Sequence, residues 1–158
     1  MNQTAASLAS APRMGILDSW NRLAERLSGW VSDLLLALCA RLALGAIFFQ
    51  SGRTKVEGFL TVTEGAYTLF REEYKVPLVP PELAAHLAAY AEHFLPLLLV
   101  LGLFTRLSAL GLLGMTAVIQ VFVYPDAWPT HLTWASVALY LAGRGGGPLA
   151  LDHALRIR

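Results

Sequence analysis

Charge is what this chain has least of. Asp, Glu, Lys and Arg together make up 15% of its 158 residues and leave a net charge of +1, well below the quarter or so usual in soluble domains. No basic run with interleaved aromatics occurs, so nucleic acid is excluded as a partner. Cysteine is nearly absent too. Cys39 is alone, which rules out an internal disulfide and a thiolate metal cluster; its apolar surroundings predict a small core residue. The sequence also lacks a Rossmann glycine pattern, a Cys-x-x-Cys pair and a haem-attachment motif, so it carries no binding motif for an electron-transfer cofactor.

What fills the space is apolar. Hydrophobic residues reach 56% and mean hydropathy is +0.54, which places the chain among membrane proteins. Residues 1–17 are small and polar, with no apolar core of signal-peptide length, and read as a loose, uncleaved tail. Residues 18–30 set Trp20, Leu23, Leu27 and Trp30 at helical spacing, with Asn21, Arg22, Glu25 and Arg26 turned away. Such a stripe suits a helix lying in the headgroup layer or packed beside the bundle.

Four apolar segments follow, at about 32–52, 82–102, 105–124 and 129–144. Three have spanning length; the fourth, at ~24 Å, requires local adaptation of the bilayer. Gly143, Gly145, Gly146, Gly147 and Pro148 close the last segment. The predicted fold is therefore an all-α integral membrane protein: a four-transmembrane-helix bundle over 31–144, with an N-terminal interfacial amphipathic helix, an outer segment over 55–81 and a tail over 145–158. Helix-like spacing of Tyr67, Leu69, Phe70 and Tyr74 makes the outer segment a cap. Arg13, Arg22, Arg26, Arg106, Arg144, Arg156 and Arg158 would gather on one side, against Arg53, Lys55, Arg71 and Lys75 on the other. The positive-inside rule then predicts a multi-pass protein with both termini cytoplasmic.

Glu92 and His93 interrupt the second segment at its centre. A bare carboxylate ~15 Å deep in lipid must be neutral, hydrated or paired. Counting from the opposite end of the first segment puts Arg41 at about the same depth, on a face with Gly45, Phe48 and Gly52, while Glu92 shares a face with Ala85, Ala88 and Ala89. The expectation is a direct Arg41–Glu92 pair, serving either to fix helix register or as the polar floor of a ligand site. A second polar layer is predicted nearer the surface from His86, Tyr90 and His93 at i, i+4 and i+7, with Gln120, Tyr124, His131 and Trp134. These residues either line a pocket for a quinone-like ring or are interfacial side chains satisfied by water and backbone. His86, His93 and His131 are weak metal candidates, since no two of them form an i, i+4 pair.

The run Arg41-Leu-Ala-Leu-Gly45-x-x-Phe48-x-x-x-Gly52-x-x-Lys55, then Glu92, then Gly102-Leu-Phe-Thr105-Arg106-Leu-Ser-Ala109, and finally Gly147-Pro-Leu-Ala-Leu-Asp152, resembles the DoxX family of small four-helix membrane proteins. The longer outer segment, with Phe70-Arg71-Glu72-Glu73-Tyr74, is similar to a branch encoded beside copper-sequestering bufferin peptides. The resemblance implies a subunit linked to quinone-dependent redox chemistry, or a non-catalytic anchor or scaffold in copper and oxidative stress. Either role needs the lipid bilayer and a protein partner or further copies of the chain. It carries Arg41, Gly45, Gly52, Lys55, Glu92, Thr105 and Arg106 as family positions; His86, His93 and His131 are not secured by it.

Overall fold

A computed structural model describes residues 15–157. Most of the expected N-terminal tail, with Arg13 and Arg158 of the charge comparison, lies outside the described residues. The chain divides into two compact units, with a boundary after Ser32. In the first, α1 (Ile16–Trp30) is a 15-residue helix with no buried residue, capped at its start by Asp18, whose carboxylate accepts from the Gly15 amide at 3.0 Å. Its stripe of Trp20, Leu23, Leu27 and Trp30 is exposed within that unit.

The second unit is a ring of antiparallel helices. α2 (Asp33–Arg53), α4 (Pro81–Leu101) and α5 (Thr105–Val118, continued through a π-type turn to Val123) are long and apolar enough to cross a membrane. α6 (Trp128–Arg144) is shorter, at 17 residues. α2 packs along α4 and α5 along α6, while α4–α5 and α2–α6 contacts close the ring. Leu44, Phe48, Leu99, Leu112 and Leu141 are essentially free of solvent at its centre.

Between α2 and α4 the chain builds its cap. Strands β1 (Val56–Glu57) and β2 (Thr61–Val62) form a small antiparallel hairpin, and Gly58 takes a left-handed φ of 54° in the turn joining them. Next come α3 (Glu64–Leu69), N-capped by the Thr63 hydroxyl, and a π-type turn over Phe70–Tyr74. Val56, Val62, Ala66 and Phe70 pack against Ala84, Ala85 and Ala89 of α4. One face of the first turns of α4 is thus buried by the cap.

The stagger of α2 against α4 follows from two glycines. A β-carbon on Gly45 would lie 2.7 Å from Val100 and 3.5 Å from the Pro96 carbonyl, and one on Gly52 would lie 2.9 Å from the His93 ring and 3.0 Å from Glu92. Those close approaches set Gly52 level with Glu92. Segments laid flush by length would set Glu92 level with Arg41, so α4 is displaced by roughly ten residues, ~15 Å of helix. The start of α2 consequently projects, with Leu34, Leu35 and Leu36 exposed, and the start of α4 rises into the cap. Cys39, expected in the core, is exposed, on the side of α2 turned away from the buried Ala37 and Arg41.

Candidate functional site

That stagger decides which charges meet. Lys55, in the turn after α2, reaches back so that its Nζ lies 2.7 Å from Glu92 Oε2, with both side chains about 95% shielded. Its other two protons go to the Ser51 carbonyl at 3.2 Å and the Ser51 hydroxyl at 3.0 Å, so the ammonium is fully used. The expected Arg41–Glu92 pair is not formed. Arg41 instead donates to the carbonyls of Leu99, Val100 and Gly146. Two of those carbonyls belong to the last turn of α4, where a helix has unsatisfied acceptors and partial negative charge. Each guanidinium nitrogen is held there by a carbonyl, and the carboxylate whose charge acts on it is that of Asp152 rather than Glu92.

The same end of the bundle closes by further side-chain caps. Asp152, just inside α7 (Leu151–Ala154), accepts from the amides of Phe104 and Thr105 at 2.7 and 2.8 Å and so caps the start of α5. Arg106 donates to the Ala142 and Gly143 carbonyls at the end of α6, both at 2.7 Å. Arg41, Arg106 and Asp152 therefore tie helix ends together, a structural role.

The Lys55–Glu92 pair borders a cavity of about 490 Å³ in the cap-side half of the bundle. α2 contributes Phe48 and Ser51, α4 Ala88 and Ala91, α5 Gly114 and Met115, and α6 His131 and Trp134, while Phe70 and Tyr74 descend from the cap. The wall is apolar and aromatic apart from Ser51, Lys55, Glu92, Tyr74, Tyr124 and His131, the combination typical of small-molecule sites. Both π-type turns abut it, through Phe70 and Tyr74 on one side and Ile119 and Val123 on the other. Such turns recur at functional sites because they re-aim side chains without ending the helix.

Of the residues expected in the second polar layer, Tyr124, His131 and Trp134 line this cavity, and Gln120 bonds to His131 from beside it. His86, Tyr90 and His93 do not. They lie on the side of α4 away from Ala84, Ala88 and Ala91, because two residues along a helix is a rotation of about 200°. His86 is held between the Tyr67 hydroxyl at 3.2 Å and the Glu82 carbonyl at 2.8 Å, and Tyr90 is exposed. His93 donates from Nδ1 to the Ala89 carbonyl at 2.6 Å and packs edge-on against Phe49, which leaves its Nε2 buried and without a partner. The three weak metal candidates are thus spread over separate environments, and among the described residues no group of three or more His, Cys, Asp or Glu converges.

Protonation and tautomer are fixed around the cavity rim. Burial, and next the hydrogen bond to the Tyr124 hydroxyl, hold the Tyr74 phenol well above the ordinary tyrosine value, so it stays protonated. Tyr124 in turn donates toward Glu73 Oε2 at 3.5 Å. Gln120 donates from Nε2 to the Pro125 carbonyl at 2.8 Å, which turns its Oε1 toward His131 Nδ1 at 2.7 Å. The imidazole therefore carries its proton on Nδ1.

The family model that matches this chain is DoxX, over residues 36–125. The chain belongs to the DoxX family. A Haemophilus influenzae protein described as uncharacterized is 27% identical over 129 residues, which cover 75% of this chain and 82% of that relative. No solved structure matches. The DoxX match spans Arg41, Lys55 and Glu92 and ends before α6, so His131 and Trp134 complete the cavity from outside the matched region. Lys55 is the site residue that sequence reasoning missed as a partner. It stands in the family pattern, but beyond the end of the apolar segment, where a lysine reads as a flank facing solvent.

Proposed function

We propose that this DoxX-family membrane protein is a subunit of a membrane redox complex and binds the head of a quinone-type lipid in the cap-side cavity. The observation that carries this reading is a buried Lys–Glu pair on the wall of an otherwise apolar, aromatic-lined cavity where the helix bundle meets its cap. An ionisable residue within a helix of spanning length, as Glu92 is in α4, marks a ligand or proton site by default, and a flat ring with polar groups at its edge matches aromatic walls with few polar positions. The chain has no cofactor motif of its own, so electrons must come from or go to a protein partner.

The charge asymmetry supports an inner-membrane orientation with both termini and the Arg106 face cytoplasmic and the cap outside, α6 completing the fourth crossing. α1, with its exposed Trp20, Leu23, Leu27 and Trp30 stripe, is suited to lie in the headgroup layer. That stripe also favours a second reading, a non-catalytic anchor or scaffold for a partner in copper or oxidative stress.

Gently purified protein examined by mass spectrometry, together with melting in the presence of a short-chain quinone in both oxidation states, tests the first reading. Retained quinone, or a rise of several degrees at saturating ligand, is expected. Absence of both, with the melting curve unmoved by either form, would leave only the anchor.

A further inference from the structure

The polar groups around the cavity offer a ligand acceptors almost exclusively. Lys55 spends all three ammonium protons on Ser51 and Glu92, and the Ser51 hydroxyl lies against the same carboxylate. Tyr124 donates away from the cavity, toward Glu73 on the cap. Tyr74 packs edge-on against the Tyr124 ring with centroids 5.8 Å apart, its hydroxyl turned toward that of Tyr124. His131 places its only proton on Gln120, whose orientation is locked in turn by Pro125.

Two acceptors remain. The His131 Nε2 lone pair has no protein partner among the described residues, and it is not one of the sealed, unpartnered nitrogens, as His93 Nε2 is. The Glu92 carboxylate, with about four acceptor positions, retains capacity beyond Lys55 and Ser51. Both residues line the same cavity. On the donor side, the indole N–H of Trp134 is the one lining ring donor without a hydrogen-bond partner among the described residues.

We propose that the cavity takes an aromatic diol, the hydroquinone form, in preference to the corresponding quinone. One hydroxyl donates to His131 Nε2 and the other to Glu92. A hydroxyl oxygen can still accept from Trp134, so the diol matches acceptors and donor alike. A quinone has carbonyl acceptors only. It would face His131 and Glu92 lone pair to lone pair, leave the His131 Nε2 without a partner, gain nothing from the Glu92 carboxylate, and recover a single bond from Trp134. Sites that hydrogen-bond a ligand hydroxyl discriminate strongly against analogues that lack it, because their own buried polar groups are then left without partners.

This inference rests on the ring-binding reading, and the test separates the two. Anaerobic titration of the detergent-purified protein uses three probes with the same short alkyl chain: a 1,4-benzoquinone, its hydroquinone, and the dimethyl ether of that hydroquinone. The hydroquinone is expected to bind at least ten times more tightly than either of the others. Gln120→Leu releases Nδ1 and frees the imidazole to present an N–H to the cavity, so it should reduce that preference several-fold while the protein keeps its melting temperature within a few degrees. Equal binding of hydroquinone and quinone, tighter quinone binding, or hydroquinone and its dimethyl ether binding alike would overturn the preference but leave the ring-binding reading standing. Failure of all three probes to bind would overturn both.

Discussion

Lys55 Nζ sits 2.7 Å from Glu92 Oε2, and this contact joins the turn after α2 to the middle of α4 with almost no solvent reaching either side chain. In such a place neither charge tolerates the loss of the other. Lys55→Ala or Glu92→Ala should each cost about 3–5 kcal/mol, read as lost accumulation or a large fall in melting temperature in detergent. Lys55→Met with Glu92→Leu should recover much of that loss, because an apolar pair of similar volume leaves no charge behind. Additive single and double effects would show that the contact contributes nothing.

Arg41 holds three carbonyls at once, from Leu99, Val100 and Gly146. Lysine is a poor substitute, since its compact ammonium lacks the planar fork that spreads over several acceptors. Arg41→Lys should destabilise by about 1–3 kcal/mol and Arg41→Ala by more. A double-mutant cycle of Arg41→Ala with Glu92→Gln should show coupling below about 0.5 kcal/mol, as for sites without shared partners. A coupling of about 2 kcal/mol or more, the size expected of groups in one network, would restore the direct pair that segment depth alone suggests.

The stagger of α2 and α4 rests on Gly52 lying against His93 and Glu92. A methyl group there meets the imidazole at 2.9 Å, and overpacking of that kind costs about 1–3 kcal/mol. Gly52→Ala should therefore lower the melting temperature and, by shifting the carboxylate, weaken ligand binding. Cysteine cross-linking across the two helices would report the shift. An unchanged melting curve would mean that the helices are not held at this level.

Gly114 offers the opposite test. It lines the cavity, and a β-carbon there meets nothing within 4 Å. Gly114→Leu should keep or slightly raise stability, since leucine is the better helix former by up to about 1 kcal/mol, while occupying space that a ring would need. Ligand affinity is expected to fall at least tenfold. Undiminished binding to a folded Gly114→Leu protein would place the ligand elsewhere.

The apolar runs, the glycines that break them and the rarity of internal charge are enough by themselves to make this chain helical, to assign it to a membrane, and to require that Arg41 and Glu92 be satisfied. Hydrophobic length and backbone satisfaction dictate those properties locally, and helix ends at Leu101 and Arg144 fall within a residue of the segments read from sequence. The cap was legible as a helix near Tyr67 and Phe70; its hairpin over 56–62 was not, because two-residue strands are too short to show a period.

What satisfies each charge was a tertiary matter. Depth counted along a chain assumes that neighbouring spans lie flush, whereas the contacts at Gly45 and Gly52 slide α4 by roughly ten residues, about 15 Å at the helical rise. That slide delivers Glu92 to Lys55 and Arg41 to the end of α4. His86, Tyr90 and His93 share a stripe, but only packing decided that the stripe faces away from the cavity, because a helical period tells which residues point together and not toward which neighbour they point.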